Sequence, residues 1–262
     1  MSRLQVFTVE TFHRLNPDWE IFVYTPIQKY TGKASYIPAY RGKDYFYLVE
    51  NMSHVSIIEI DIDKYGIDQG LHNILRSDVF RYHILYEEGG LWIDFDIVWL
   101  KPISHIYNVD YIGIDIKDAG ANVRLYKMTT GHFNIGVLFS VPQHSLYKAL
   151  INKAAEVQLR FKNKDNCPHQ VFGVVMWKEL YDTLDDVIRM HPDVVGLPYE
   201  LSAPYGIFDL KRLYKETDLS VITNNVIGVH WFNGHKLGKQ YVNGNKQPCS
   251  LTTLLHQQGY KE

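Results

Sequence analysis

Residues 77–102 read SDVFRYHILYEEGGLWIDFDIVWLKP, and the order of charged and apolar residues in this stretch is the most informative feature of the chain. Apolar residues lie on both sides of Asp94 and Asp96. A short apolar run between a Gly-Gly step and a proline is typical of a strand that is buried on both faces. We therefore expect a single strand over 91–100, with the two carboxylates on one face and Phe95 on the other.

Asp94 and Asp96 predict a cation site. Two like charges roughly 7 Å apart on one face of a buried strand are costly unless a positive charge lies between them. Mg²⁺ and Mn²⁺ prefer carboxylate oxygens and also bridge phosphates. The alternative is an edge strand with two solvated acids. A second Asp-x-Asp at Asp61 and Asp63 lies in an alternating segment that ends in Lys64, and it is typical of such a half-exposed strand.

The segment before the two acids has the signals of a helix. Ser77 is a favourable N-cap residue, and Asp78 suits the positive end of the helix dipole. Gly89 and Gly90 accept the left-handed conformation in which helices end. The pattern therefore predicts a helix from Ser77 to about Glu88, followed by a tight return to the acidic strand.

Asp78 and Arg81 are three residues apart and share one face of this helix. One interpretation is an intrahelical ion pair worth a few tenths of a kcal/mol. The other is that both side chains project towards a ligand at the end of the strand.

Taken together, these positions resemble a known family signature, the glycosyltransferases that contain a DXD sugar-binding motif. The pattern S-D-x-x-R-x-x-x-L-x-x-x-G-G-x-x-x-D-x-D is in register at Ser77, Asp78, Arg81, Leu85, Gly89, Gly90, Asp94 and Asp96. The segment 16–20, NPDWE, is also similar to the family. The group includes initiating α-mannosyltransferases, α-1,4-galactosyltransferases and the glucosylating domain of large bacterial toxins.

The resemblance implies an α/β fold of the GT-A, nucleotide-diphosphosugar transferase type, with a mostly parallel central sheet flanked by helices. It implies one domain over 1–262, with a nucleotide-sugar and metal half at about 1–118 and an acceptor half at about 119–262. The expected reaction is transfer of a sugar, most simply a hexose, from a nucleotide sugar to an acceptor glycan, protein or other hydroxyl-bearing molecule. Because the named relatives form α-linkages from α-linked donors, we expect retention of configuration.

The resemblance also assigns roles to the residues of the first half. Asp96 is expected to bind Mn²⁺ or Mg²⁺ directly, and Asp94 to bind it directly or through water while also reaching the sugar or ribose. Asp78 and Arg81 are expected to hold the sugar and diphosphate. Asp94, Asp96 and Arg81 are thus the predicted catalytic residues.

Four positions of the second half complete the predicted site. Asn134 precedes an apolar strand where the family has an Asn near the donor sugar, although a turn Asn is the alternative. His230 follows a buried strand, and its imidazole is an acceptable ligand for Mn²⁺; we expect it to be the third metal ligand. His235 and Lys236 are expected to contact the diphosphate.

Composition excludes other classes of protein. The chain has 262 residues, 46% hydrophobic and 21% charged, which is ordinary for a globular protein. A formal net charge of −2 disfavours nucleic acid as a partner. Cys167 and Cys249 offer neither a disulfide framework nor zinc spacing, and no run approaches the ~20 apolar residues of a membrane span. We therefore expect a cytoplasmic protein without a transmembrane segment.

Apolar periodicity predicts alternating helices and strands, as in α/β proteins. Helices are expected over 4–15, 66–88 in two pieces, 145–161 and 171–181. Strands are expected over 19–24, 45–49, 55–60, 91–100, 111–116, 135–140 and 226–231.

Two other functions remain open from the residues alone. A nucleotidyltransferase also uses an Asp-x-Asp with Mg²⁺, but it needs a Gly-rich phosphate loop that the N-terminal sequence lacks. A carbohydrate-binding module that uses a cation without turnover is the non-enzymatic alternative, and hydrolysis of a nucleotide sugar without an acceptor distinguishes a glycosyltransferase from it.

Overall fold

Helices and short strands alternate along the chain. The computed structural model describes residues 1–29, 40–104, 123–127, 133–161, 167–168, 170–244 and 246–260. Its helices are α1 (Arg3–Leu15), α2 (Phe46–Glu50), α3 (Asn73–Glu87), α4 (Ser145–Arg160), α5 (Met176–Leu180), α6 (Leu184–Met190), α7 (Leu210–Lys215), α8 (Lys236–Val242) and α9 (Ser250–Gln257). Its strands are β1 (Ile21–Pro26), β2 (Val55–Ile60), β3 (Gly90–Ile93), β4 (Ile97–Trp99), β5 (Val123–Lys127), β6 (Phe133–Ser140), β7 (Val194–Pro198) and β8 (Gly228–His230).

The described strands form three small sheets. One has the order β3-β6-β5-β7, and the other two are the pairs β1-β2 and β4-β8. β1-β2 and β5-β7 are parallel, whereas β3-β6, β5-β6 and β4-β8 are antiparallel. The predicted mixed α/β class is confirmed. A mostly parallel central sheet is not found in the described part of the chain, and these short sheets do not establish the GT-A fold.

The expected single strand over 91–100 is wrong. Residues 90–93 form β3 and residues 97–99 form β4, and the two strands pair with different partners. The backbone changes partner within the acidic tripeptide: Asp94 N–H donates to Gly136 O at 2.8 Å, and Asp96 O accepts from Trp231 N–H at 2.9 Å. Apolar pattern alone does not distinguish one buried strand from two that join different sheets.

Helix α3 begins earlier than predicted. Its N-cap is His72, whose Nδ1 accepts the Ile74 N–H at 3.3 Å, so Ser77 lies inside the helix. The reason is that Leu75, fully buried, extends the apolar face of the helix by another turn. The predicted end is confirmed, because Gly89 and Gly90 have φ of 69° and 84°.

Other predictions have mixed outcomes. The expected strand at 45–49 is instead helix α2, in which Phe46 and the fully buried Val49 meet one apolar cluster with α1. The expected helix over 171–181 is interrupted by a π-turn over Val171–Val175 before α5. Of the helix expected over 66–88 in two pieces, only the second piece is found, because residues 66–72 form turns and irregular backbone before α3. The remaining predicted elements are confirmed in type, except the strand over 111–116, which falls outside the described residues.

The site is supported by three buried clusters of apolar side chains. The largest surrounds α3 and α4 and includes Leu75, Tyr82 and Leu85. A second joins β4, β8 and α9, and a third contains Trp99 and Phe12. Because α3 lies in the first cluster and β4 in the other two, the acidic turn is fixed from both sides. None of the described helices combines the length and the apolar character required to cross a membrane.

Gly89 and Gly90 differ in how closely the backbone after α3 approaches neighbouring atoms. A Cβ on Gly89 would lie 2.8 Å from Pro142 N and 2.9 Å from Ser140 O, whereas a Cβ on Gly90 would meet nothing within 4 Å. Both have positive φ, so alanine at either position costs about 1–2 kcal/mol of strain. Gly89→Ala should lower the free energy of unfolding by about 1–3 kcal/mol more than Gly90→Ala, because the backbone at Ser140 and Pro142 must move to admit the new methyl group. Urea denaturation measures both, and equal losses would contradict the close approach.

Candidate active site

Asp94 and Asp96 lie in the turn between β3 and β4. The Phe95 side chain packs against the apolar cluster formed with α1 and β1, and its backbone O accepts a hydrogen bond from Thr8 Oγ1 at 3.1 Å. The Asp94 side chain is 33% exposed and the Asp96 side chain 14% exposed. The turn therefore anchors its apolar residue in the core and leaves one carboxylate accessible and the other nearly enclosed.

The C-terminal segment after β8 surrounds Asp96. His230 Nε2 lies 3.0 Å from Asp96 Oδ1, and Asn233 N–H donates to Asp96 Oδ2 at 2.9 Å. Burial acts to raise the pKa of Asp96, but His230 and the Asn233 hydrogen bond outweigh it and lower that pKa. Burial acts to lower the pKa of His230, and Asp96 outweighs it and raises that pKa. Each partner therefore favours the charged form of the other.

Asp94 is held by different groups. Arg81 Nη1 lies 3.3 Å from Asp94 Oδ1, and Trp92 Nε1–H donates to the same oxygen at 2.9 Å. Burial raises the pKa of Asp94, against the lowering effect of Arg81. A Cβ on Gly136 would lie 3.1 Å from Asp94 Oδ2, so the carboxylate occupies space that any side chain at 136 would restrict.

Arg81 is a buried connector. It is 3% exposed, and its guanidinium donates to Asp78 Oδ1 at 2.6 Å and to the backbone O of Ile135 as well as to Asp94. Its Cζ lies 5.1 Å from the centre of the Trp92 ring. Asp78 is 4% exposed, and burial raises its pKa to about 7 despite Arg81. The ion pair is therefore not the solvated helix pair that was one interpretation of the spacing, and Arg81 projects towards the acidic turn.

The remaining predicted residues lie at two places. Asn134 is 9% exposed, and its Oδ1 accepts the Gly136 N–H at 2.8 Å; the same Gly136 adjoins Asp94. His235 is the N-cap of α8, with Nδ1 accepting from Leu237 N–H at 3.2 Å, and Lys236 is exposed at the start of that helix. The structure thus brings Asn134 to the acidic turn and assigns His235 a capping contact.

Sequence reasoning missed several contributors to the site. Trp92 and Gly136 contact Asp94, and the Asn233 backbone contacts Asp96. The Trp92 contact had a signal, because residues i and i+2 of a strand share a face. A backbone N–H from 137 residues away leaves no such signal.

The predicted metal ligands fit this geometry only in part. The part of the chain that the structure describes has no group of three or more His, Cys, Asp or Glu side chains arranged to hold a metal ion, so the set Asp94, Asp96 and His230 is not assembled as one centre. The donor chemistry nevertheless fits a hard cation, since carboxylate oxygens are its preferred ligands.

Two surface cavities lie elsewhere. One, of about 350 Å³, is lined by α8, α9 and the segment between them, and the other, of about 410 Å³, by residues 63–69 and α4. Neither is lined by Asp94 or Asp96. The candidate site is therefore defined by its side chains and not by either cavity.

Comparison with known proteins concerns the first part of the chain. Residues 2–114, which contain the acidic turn, match the family model described as "Glycosyltransferase sugar-binding region containing DXD motif". These residues form a DXD glycosyltransferase region. The expected family and enzyme class are thus confirmed.

The comparisons with curated proteins and with solved structures provide less information about the glycosyltransferase than the family match does. None of the curated proteins compared with it matches significantly. Among solved structures, "PaToxG Glycosyltransferase" is similar at a TM-score of 0.44 and 14% identity, over 94% of this chain and 82% of that one. The assignment rests on the family match.

The buried pair of the glycosyltransferase yields a stability prediction. Arg81→Ala leaves Asp78 buried without its cation, which should cost about 3–5 kcal/mol. Asp186 and Arg189 have the same order and spacing, but the Arg189 side chain is 74% exposed. Arg189→Ala should therefore cost less than about 1 kcal/mol. Chemical denaturation compares the two, and a loss at Arg81 as small as at Arg189 would refute the buried role.

Proposed function

We propose that this glycosyltransferase moves a sugar from a nucleotide-sugar donor to an acceptor hydroxyl, with a divalent cation bound at the acidic turn. The observation that carries the proposal is the pair of carboxylates, Asp94 and Asp96, which lie within the matched sugar-binding region and are each oriented by a separate set of partners. Such an arrangement keeps two negative groups together before any ligand binds. It provides the preorganised charge that electrostatic catalysis requires.

Mn²⁺ or Mg²⁺ is the cation that fits. Asp96 and Asp94 would hold it through oxygen, and His230 would contribute nitrogen, a combination that favours Mn²⁺. When bound, the cation supplies neutralisation of the charge that develops on the departing diphosphate. His230 would hold the cation through a ring nitrogen only in its neutral form, because only neutral imidazole is a ligand.

The protein side chains divide the remaining work. Asn134 lies beside Asp94, and we assign its amide to a hydroxyl of the donor sugar. The exposed Lys236, with His235 beside it, is assigned to the diphosphate. Arg81 acts through Asp94, because a direct contact with the diphosphate would require it to leave Asp78 and the Ile135 carbonyl.

The division of the chain follows from these roles. The donor and cation groups come mainly from residues 1–118, which we propose as the nucleotide-sugar half. Residues 119–262 are proposed as the acceptor half, with a glycan, protein or other hydroxyl-bearing acceptor. His230 and Asn134 then belong to the second half but reach the first.

The decisive experiment is a screen of nucleotide sugars for Mn²⁺-dependent hydrolysis and for thermal stabilisation. Turnover without an acceptor would support a transferase. Stabilisation by a free glycan with no turnover of any donor would instead identify a binding module. Release of diphosphate from a nucleoside triphosphate would identify a nucleotidyltransferase.

Asp96 supplies the sharpest variant. Asp96→Asn keeps the shape of the side chain and an oxygen for the Asn233 N–H, but it removes the charge. Turnover should fall by about 10²-fold or more, by analogy with loss of a single electrostatic contact. Asp63→Asn is the matched control, because Asp63 ends the chain's second Asp-x-Asp and is exposed. Steady-state rates of both variants decide, and wild-type turnover by Asp96→Asn would exclude the site.

Stereochemistry provides an independent prediction. Inversion needs a base on the acceptor side of the sugar, opposite the diphosphate, and the acids of the turn are assigned to the donor side. We expect an α-linked product from an α-linked donor, with the departing diphosphate accepting the proton of the acceptor hydroxyl. The anomeric proton coupling in the NMR spectrum of the product measures this. A β-linked product would require another base, for which the exposed Glu200 and Asp209 are the candidates.

A further inference from the structure

Phe232 has an unusual backbone conformation for its residue type. Its φ is 50°, and among described residues other than glycine only Gln143 shares a positive φ. A bulky aromatic residue in the left-handed region is strained, and such strain persists only where the surrounding structure enforces it. Phe232 lies two residues after His230 and one before Asn233, so the strain falls within the segment that holds Asp96.

The conformation of Phe232 determines where the Asn233 N–H points. Ile97 pairs with His230 in the antiparallel register of β4 and β8. If this ladder continued, Asn233 would lie opposite Asp94. The left-handed residue turns the chain away from that path, and the Asn233 N–H reaches Asp96 Oδ2 at 2.9 Å instead.

The Phe232 ring acts on the other oxygen of the same carboxylate. It stacks on the His230 imidazole, with ring centres 3.9 Å apart and planes 15° from parallel. That imidazole places Nε2 3.0 Å from Asp96 Oδ1. A stacked ring restricts rotation of the imidazole, so Phe232 influences Oδ2 through its backbone and Oδ1 through its ring.

The turn is held in place from outside the site. His235 N–H donates to Phe232 O at 2.9 Å, and Tyr214 OH donates to Trp231 O. Gly238 approaches the turn closely, since a Cβ there would lie 2.5 Å from Phe232 O. These contacts offset the strain, and they link α8 to the orientation of Asp96.

We propose that Phe232 is a positioning residue, whose left-handed turn and stacked ring together fix the Asp96 carboxylate in the orientation used to bind the cation. This proposal rests on the proposed function for the role of Asp96, but the contact it describes is measurable without turnover. Gly238 makes the turn at Phe232 possible, because only a residue without a side chain leaves room for the Phe232 carbonyl.

Three variants separate the turn from the ring. Phe232→Gly keeps positive φ accessible and removes the ring. Phe232→Val disfavours positive φ, because its β-carbon is branched. Gly238→Ala displaces the Phe232 carbonyl while leaving residue 232 unchanged, and Gly234→Ala is its control, because a Cβ there meets nothing within 4 Å.

The first readout is hydrogen exchange of the Asn233 amide, followed by NMR on the full chain. Exchange should be at least tenfold faster in Phe232→Val and Gly238→Ala, and unchanged in Phe232→Gly and Gly234→Ala. The Ile227 amide, which donates to Leu201 O at 2.8 Å, reports whether the neighbouring fold is intact. Wild-type protection of Asn233 in both Phe232→Val and Gly238→Ala would overturn the positional role of the turn.

The second readout is binding of Mn²⁺ alone, titrated by electron paramagnetic resonance. The dissociation constant should rise at least tenfold in Phe232→Val and Gly238→Ala, and two- to tenfold in Phe232→Gly, which loses only the stacked ring. Unchanged Mn²⁺ affinity in all three variants would overturn the proposal. If the wild-type protein binds no Mn²⁺, the proposed function fails, while the exchange of Asn233 still decides whether Phe232 positions Asp96.

Discussion

The buried guanidinium of Arg81 is the interaction on which the candidate site depends. It joins α3, through Asp78, to the acidic turn, through Asp94, and to β6, through the Ile135 carbonyl. A charge at 3% exposure is stable only when its hydrogen-bonding groups are all engaged. The three elements therefore cannot move independently without breaking a contact that water does not replace.

The acidic turn joins two sheets instead of belonging to one. β3 leads into it from the sheet that contains β6, and β4 leaves it paired with β8. Asp94 therefore has its partners on the side of β3 and β6, and Asp96 has its partners on the side of β4 and β8. The relative position of the two carboxylates thus reflects how the two sheets pack, which explains why residues as distant as Arg81 and Asn233 determine it.

Local chemistry made several features predictable. The Gly89-Gly90 step ends α3 because only residues that tolerate positive φ suit that geometry. The spacing of Asp94 and Asp96 from each other and from Arg81 is specific enough to indicate the family from residue types alone. The error at Ser77 arose because a good capping residue also occurs inside helices, and burial of Leu75 extended the helix past it.

The sequence by itself determined which chemical groups are present, where α3 ends and which family residues 2–114 match, since these depend on residue types at short spacing. Only the tertiary structure decided that the acidic strand is broken and that Arg81 is buried. It also decided that Asp96 is held by the backbone of Asn233 and by His230. These features depend on contacts between segments far apart in the chain, and a backbone N–H is common to almost every residue, so no residue type encodes where it will point.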